Sequence, residues 1–168
     1  MVNEMKNEME IVFDAISDNE SFARVSVAAF VAHLNPTLEE ISDIKTAVSE
    51  AVTNAIIHGY ENVSGYGGTK AAPATPHEIH EGKVKVHCLL NQDTLHIDVI
   101  DWGKGIENID KAMEPLFTTK PELERSGMGF AFMEAFMDEL HVESEPQKGT
   151  TIRMSKKMGT EAWEVRED

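Results

Sequence analysis

Apolar and polar residues recur along the chain with two different periods, which predict five strands and three helices. Alternation is typical of a half-buried strand, and recurrence every three or four residues is typical of an amphipathic helix. The segments predicted to be strands are 8–15, 83–90, 94–101, 141–145 and 150–155. The helical pattern covers 17–34, 37–59 and 127–140. Short polar turns at 91–93 and 146–149 join the last four strands into two hairpins.

Single residues indicate where the first two helices begin and which side faces the core. Ser17 with Glu20, and Thr37 with Glu40, each form the capping-box pattern that begins a helix. In the first helix, the apolar stripe predicted to face the core is Phe22, Val25, Ala29 and Ala32. In the second helix, the corresponding stripe is Ile41, Ile44, Val48, Val52 and Ala55.

The order of elements is strand, two helices, hairpin, loop, helix and hairpin. Because the helices are grouped and the strands pair locally, this order predicts an α+β fold. We expect a two-layer α/β sandwich with a mixed, mostly antiparallel sheet and helices on one face. The 168 residues fit one domain, placed at 1–158. Segment 61–82 is predicted to be an inserted flexible loop, 103–126 a loop or lid, and 159–168 a charged tail.

The composition excludes several classes of protein. A formal net charge of −15 at pH 7 disfavours direct contact with nucleic acid, so any role in gene expression would act through another protein. No apolar run approaches the ~20 residues that span a bilayer. The N-terminus also lacks a signal-peptide pattern, so we expect a cytoplasmic protein with no membrane contact. Cys88, the single cysteine, excludes an internal disulfide and is expected to be buried.

Two polar residues stand four positions apart on the predicted second helix, at Glu50 and Asn54. This spacing places them on one helix face, at the rim of the apolar stripe. An ordinary solvated helix face would show the same pattern. A carboxylate beside an amide oxygen would also suit a hydroxyl group and Mg²⁺, which takes hard oxygen ligands and keeps several waters.

Two glycine pairs adjoin other predicted elements. Asp101 ends a strand and precedes Gly103 and Gly105, which let the backbone turn with positive φ and approach a flat ligand. The Asp101 carboxylate is placed to accept a hydrogen bond from an exocyclic amine. Residues 125–129 (Arg-Ser-Gly-Met-Gly) precede a helix, where N–H groups bind anions and an arginine suits a phosphate. Either pair alone is equally typical of an ordinary turn or helix cap.

The order and spacing of these motifs resemble the GHKL ATPase/kinase superfamily. Residues 50–55 resemble its N box, 101–105 its first glycine box, 127–130 its second, and 149–151 its closing Gly-Thr. Longer segments are similar, more narrowly, to the sporulation anti-sigma F factors. Those segments are 20–32, 49–60 and 115–130. The resemblance covers nearly the whole chain.

The resemblance implies a protein that inhibits a sigma factor and is also a serine kinase. Members bind ATP or ADP with Mg²⁺, form homodimers, hold sigma F inactive and phosphorylate a serine of an anti-anti-sigma factor. By position, Asn54 would be the Mg²⁺ ligand, and Glu50 would be the catalytic base or orienting group. Arg125 would be the second catalytic residue, and Arg24 would lie on the partner-binding face. The implied nucleotide-binding residues are Asn54, Asp101, Gly103, Gly105, Ile106, Thr119, Ser126, Gly127, Met128, Gly129, Phe130 and Thr150.

Three other hypotheses stay open at this point. One is a general-stress type anti-sigma kinase with a different sigma partner, and another is a non-catalytic, nucleotide-gated binding module. The third is the catalytic domain of a histidine kinase, which the absence of an acceptor histidine on a helix before the N box disfavours. The segment 61–82 departs from the anti-sigma F pattern, which has a short turn there, and Trp102 is bulkier than expected.

Overall fold

A computed structural model of the chain describes residues 6–60, 82–115 and 128–159. Its strands are β1 Lys6–Asp14, β2 Lys83–Asn91, β3 Thr94–Asp101, β4 Glu139–Glu145 and β5 Gly149–Lys157. Its helices are α1 Asp18–Val31, α2 Leu38–Asn54, a short α3 Ile109–Ala112 and α4 Gly129–Phe136. A 3₁₀ turn, Ala32–Leu34, extends α1, and a π-helical turn, Ala55–Gly59, extends α2.

The sheet has the strand order β1-β2-β3-β5-β4, and all four pairings are antiparallel. Its register aligns apolar residues in rows across the strands. One row that forms part of the core is Ile11, Val86, Val99, Ile152 and Val142. These rows and the buried side chains of α1, α2 and α4 form one core. The predicted α+β sandwich with helices on one face of the sheet is therefore confirmed, but the sheet formed by the described residues is entirely antiparallel and not mixed.

The predicted core stripe of α1 is wrong. The buried residues of this helix are Ala23, Val27 and Val31, whereas Phe22 is 51% exposed and Val25 is 56% exposed. Two sides of α1 are apolar, so periodicity alone does not select the inner one. The side with the small Ala23 side chain faces inward and allows close packing of α1 on α2. An apolar stripe on α1 therefore faces solvent.

Of the two predicted capping boxes, only the second forms. Thr37 and Glu40 exchange side-chain and backbone hydrogen bonds at the start of α2. Ser17 has helical dihedral angles (φ −56°, ψ −32°) and makes no side-chain cap hydrogen bond. The carboxylate of Glu20 instead accepts hydrogen bonds from Ser49 of α2 and from Arg24. This carboxylate joins the first two helices.

The third predicted helix is shorter than its periodicity suggested. It ends at Phe136 because Met137 is extended, with ψ 154°, and Leu140 already belongs to β4. The predicted lid contains the short helix α3, while its residues 116–126 lie outside the described ranges. Residues 61–81 of the predicted loop and 160–168 of the tail also lie outside them, and the domain boundary at 158 stays a prediction. No helix in the described parts has the length and apolar composition needed to cross a bilayer.

Candidate functional site

A cavity of about 600 Å³ opens where the C-terminal end of α2, the start of α4 and the ends of β3 and β5 meet. The turn that joins β4 to β5 and the short helix α3 complete its wall. The predicted site residues that line it are Asn54, Asp101, Gly105, Ile106, Gly129, Phe130 and Thr150. The structure therefore gathers residues from all four motifs around one space.

One end of the cavity contains the buried carboxylate of Asp101. This residue is the last of β3 and is 6% exposed. The backbone N–H groups of Gly103 (2.9 Å) and Thr150 donate hydrogen bonds to the carboxylate. Burial raises the pKa of Asp101 to about 6 although both hydrogen bonds act to lower it. A buried acid in a cleft whose pKa is raised in this way is typical of a functional site.

The two glycines after Asp101 are required for different reasons. Gly105 has a φ of 72°, as predicted, and a methyl group there would lie 2.3 Å from the carbonyl oxygen of Glu145. Gly103 has no positive φ, so that part of the prediction is wrong. A methyl group on Gly103 would lie 1.9 Å from the Gly59 carbonyl oxygen, which accepts a hydrogen bond from Lys104 N–H (2.8 Å). The glycine loop is therefore packed directly against the end of the π-helical turn.

Two hydroxyl groups that sequence reasoning missed hold this end together. Ser144 Oγ accepts a hydrogen bond from Ile106 N–H (2.7 Å) and lies 2.8 Å from Thr150 Oγ1. Tyr60 OH accepts from Trp102 N–H (2.9 Å) and donates to the Lys83 carbonyl. The sequence contains a signal for Ser144, since it is a polar residue on the inward phase of β4. No pattern in the sequence identifies Tyr60.

The other end of the cavity brings two of the motifs into contact. Glu50 and Asn54 lie one turn apart near the end of α2, and Gly129 begins α4 beside them. A methyl group on Gly129 would lie 3.2 Å from Glu50 Oε2 and within 3.4 Å of both polar atoms of the Asn54 amide. The first N–H groups of a helix lack partners within that helix. The first N–H groups of α4 therefore lie beside the Glu50 carboxylate and the Asn54 amide. The N–H groups suit an anion, and the side-chain oxygens suit a cation bound with it.

The other predicted residues fall in three places. Met128, which lines no part of the cavity, immediately precedes α4 as its N-cap. Arg24 lies on α1, where it pairs with Glu20 (3.3 Å). Thr119, Arg125, Ser126 and Gly127 lie outside the described residues, so their positions stay predictions.

The comparisons with known proteins agree with this geometry. The model of the histidine kinase-like ATPase domain matches residues 15–156. The chain is 54% identical over 152 residues to the anti-sigma F factor of Anoxybacillus flavithermus, covering 90% of this chain and 93% of that one. It is 56% identical over 153 residues to the anti-sigma F factor of Clostridium acetobutylicum, covering 91% and 95%. For that of Bacillus subtilis, the identity is 53% over 152 residues, covering 90% and 93%.

Two solved structures share the fold. The structure of the RsbU and RsbW domains of a Mycobacterium tuberculosis protein superposes with a TM-score of 0.59 at 22% identity. It covers 90% of this chain and 32% of that longer one. A chain of the SiaB–SiaC complex from Pseudomonas aeruginosa gives a TM-score of 0.56 at 16% identity, covering 88% of both chains. At these identities the likeness concerns the fold alone.

Proposed function

Because the chain belongs to the histidine kinase-like ATPase domain family and, within it, to the anti-sigma F factors, we propose that it inhibits a sigma factor of the sigma F type. As an ATP-dependent serine kinase, it phosphorylates and inactivates the anti-anti-sigma factor that opposes this inhibition. The kinase activity is proposed from the arrangement of the site residues. A single cavity is lined by the buried Asp101 carboxylate and by Asn54 and Gly129, and Glu50 lies beside Gly129.

The buried end of the cavity suits adenine. Asp101 accepts a hydrogen bond from the exocyclic amine, and Thr150, held by Ser144, supports it through its hydroxyl group. Gly105 and Ile106 shape the pocket around the base. The phosphates then extend toward the first turn of α4, where Met128, Gly129 and Phe130 begin the helix. Thr119, Arg125, Ser126 and Gly127 are proposed to complete the phosphate site.

The opposite end suits Mg²⁺ and the incoming serine. Within the described ranges no cluster of three His, Cys, Asp or Glu side chains would hold a metal by itself. Mg²⁺ is bound by one or two protein oxygens together with phosphates and water, and we assign the protein ligand to Asn54. Bound Mg²⁺ supplies neutralisation of the phosphate charge.

Glu50 is placed to act on the serine hydroxyl. Its carboxylate accepts the hydroxyl proton while the serine oxygen forms a bond to the γ-phosphorus. The bond from that phosphorus to the β,γ-bridging oxygen breaks, and ADP leaves. Phosphoryl transfer depends on positioning and charge stabilisation. The guanidinium of Arg125 would stabilise the charge on the transferring group.

Substitution of Gly129 by Ala tests the contact between the two motifs. The atoms nearest the new methyl group are at the ends of the Glu50 and Asn54 side chains, and Ala favours a helix, so we expect a stable protein. The displaced side chains should lower the phosphotransfer rate by about tenfold or more. Urea unfolding and phosphate incorporation measured on the same preparation check both parts. Wild-type phosphotransfer by G129A would contradict the assigned geometry.

The exposed stripe of α1 is the proposed binding surface for the sigma factor. Phe22 and Val25 expose apolar side chains. Arg24, which pairs with Glu20, borders this stripe on the side of Val25 and is not within it. Exposed apolar side chains with an arginine at their edge are typical of a protein interface. We expect Arg24→Glu to weaken binding of the sigma factor by about 100-fold without changing nucleotide affinity. Lys157→Glu, an equal charge change on β5, is the control. Equal sigma affinity for the two variants would exclude this surface.

The partner is identified by co-purification with a panel of sigma factors. Retention of sigma F alone supports the proposal, whereas retention of a general-stress sigma factor supports the nearest alternative. We propose a cytoplasmic location as well, because a sigma factor works there with RNA polymerase.

We further propose that the chain acts as a homodimer, for which light scattering should give twice the mass of one chain.

A further inference from the structure

A second polar cluster lies at the end of α4 that is remote from Gly129. Lys156 of β5 places its ammonium group 2.8 Å from the carbonyl oxygen of Phe136, the last residue of α4. The same group lies 3.1 Å from Asp43 Oδ2 on α2. The Lys156 side chain is 13% exposed and that of Asp43 is 20% exposed. One shielded cation therefore joins α2, α4 and β5.

The neighbouring carboxylate of Glu40 is held in the same cluster. It accepts hydrogen bonds from the N–H groups of Thr37 (2.7 Å) and Gly159 (2.7 Å). Burial acts to raise the pKa of Glu40, but these hydrogen bonds and the charge of Lys156 lower it overall. These contacts connect the start of α2 to the residues that follow β5. Lys156 connects β5 in turn to the end of α4.

The two ends of α4 have different surroundings. At its start, Gly129 contacts Glu50 and Asn54 near the end of α2. At its end, the carbonyl of Phe136 meets a cation, which also suits the negative end of the helix dipole. The helix has eight residues and is therefore about 12 Å long. A rigid helix of this length would transmit a shift at its last residue to its first N–H groups.

We propose that Lys156 is a positioning residue that aligns the phosphate-binding start of α4 with Glu50 and Asn54 by fixing the opposite end of the helix. This inference rests on the proposed function, because it assumes that the start of α4 binds nucleotide phosphates. The adenine end does not depend on α4, since Asp101, Thr150 and Ser144 belong to β3, β5 and β4. Loss of Lys156 should therefore weaken binding of the phosphates and spare binding of the base.

The experiment compares MgADP with adenosine, which lacks the diphosphate and its Mg²⁺ ion. The variants are Lys156→Met, which keeps the length and removes the charge, and Lys156→Arg, which keeps the charge. Lys157→Met is the matched control, because its side chain is 59% exposed and pairs with Asp93 (3.5 Å) away from α4. Asp43→Asn is a second test that leaves the hydrogen bond to Phe136 in place, for use if K156M does not fold.

We expect K156M to bind MgADP about tenfold more weakly than the wild type does, with adenosine affinity unchanged within about twofold. K156R should recover most of the MgADP affinity, and K157M should match the wild type. D43N should show a smaller loss, again confined to MgADP. The positioning role would be overturned if K156M lost affinity for adenosine and for MgADP equally. It would also be overturned if neither K156M nor D43N lost affinity for MgADP. If the wild-type protein bound neither ligand, the proposed function would be contradicted instead. The wild-type titrations test the proposed function, whereas the variants test the positioning role.

Discussion

Replacing Glu50 with Gln is expected to lower the rate of phosphate transfer to the anti-anti-sigma factor by about 10³-fold. Gln preserves the shape of the side chain and its contact with the start of α4 but does not accept the serine proton. Nucleotide affinity should stay within about threefold of the wild type, because Asn54, Asp101 and the α4 N–H groups are unchanged. Single-turnover phosphorylation and a nucleotide titration on the same sample separate the two effects.

Glu39→Gln is the matched control for this experiment. Glu39 lies in the first turn of α2, is exposed and is remote from the cavity, so the same charge change there should leave the phosphotransfer rate unchanged. If E50Q phosphorylates as fast as E39Q, Glu50 is neither the base nor the group that orients the serine. A parallel loss of rate and nucleotide affinity in E50Q would instead assign Glu50 to the nucleotide site.

Replacing Asp101 with Asn is expected to weaken ATP binding by about 100-fold, although the protein stays folded. In the proposed site the ionised carboxylate would accept a charge-assisted hydrogen bond from the adenine amine, and losing such a bond costs about 1.5–3 kcal/mol. Asn also presents an N–H₂ donor toward the backbone N–H groups of Gly103 and Thr150, which are themselves donors. Calorimetric titration with ATP and GTP tests both points, because D101N should lose most of the wild-type preference for ATP.

The same substitution has a pH-dependent effect on stability whose sign follows from the pKa of Asp101. Burial raises this pKa to about 6 from the ordinary 3.8, so the folded state binds the proton more tightly than the unfolded state does. The wild type therefore loses stability as pH rises from about 4 to about 6, by about 3 kcal/mol in total, and keeps that loss at higher pH. Asn does not ionise and is free of this dependence.

Urea unfolding of D101N and of the wild type at pH 4.5 and 7.5 measures this effect. The stability difference between the two proteins should shift by about 2 kcal/mol in favour of D101N between these pH values. Asp98→Asn is the control, because Asp98 lies on the same strand and on the opposite, polar face of the sheet. A shift of equal size in D98N, or none in D101N, would contradict the buried ionised state of Asp101.

The fold was predictable from the sequence where a single periodicity determined which side is buried. The strands around Val84 and Val99 alternate strictly, so their register and inner face follow from the pattern. Helix α1 shows where this reasoning fails. Its two sides are both apolar, and the choice between Val25 and Val27 as the inner residue depends on how closely α1 packs on α2. That packing is a tertiary property, and local periodicity does not contain it.

The motif residues of the candidate site were predictable from the sequence, because each motif lies within or beside one predicted helix or strand. The fold then brings these elements together. Glu50, Asn54, Asp101 and Gly129 were all predicted. Asn54, Asp101 and Gly129 line one cavity, and Glu50 lies beside Gly129. The groups that hold those elements in place were not predicted. The cluster around Lys156 forms between residues far apart in sequence, so no local pattern marks it. The inward phase of β4 marks Ser144 as unusual, but its hydrogen bond from Ile106 N–H joins distant residues and does not follow from that pattern. Residues 119 and 125–127 stay predictions from motif position.

The central claim is that this cavity transfers the γ-phosphate of ATP to a serine of an anti-anti-sigma factor. The most direct test incubates the wild-type protein, Mg²⁺ and γ-labelled ATP with the cognate anti-anti-sigma factor and determines the mass and modified residue of the product. We predict one phosphate on one serine of the substrate, with no comparable product from E50Q. A wild-type protein that binds ATP and the substrate but transfers no phosphate would contradict the claim and indicate a nucleotide-gated binding module instead.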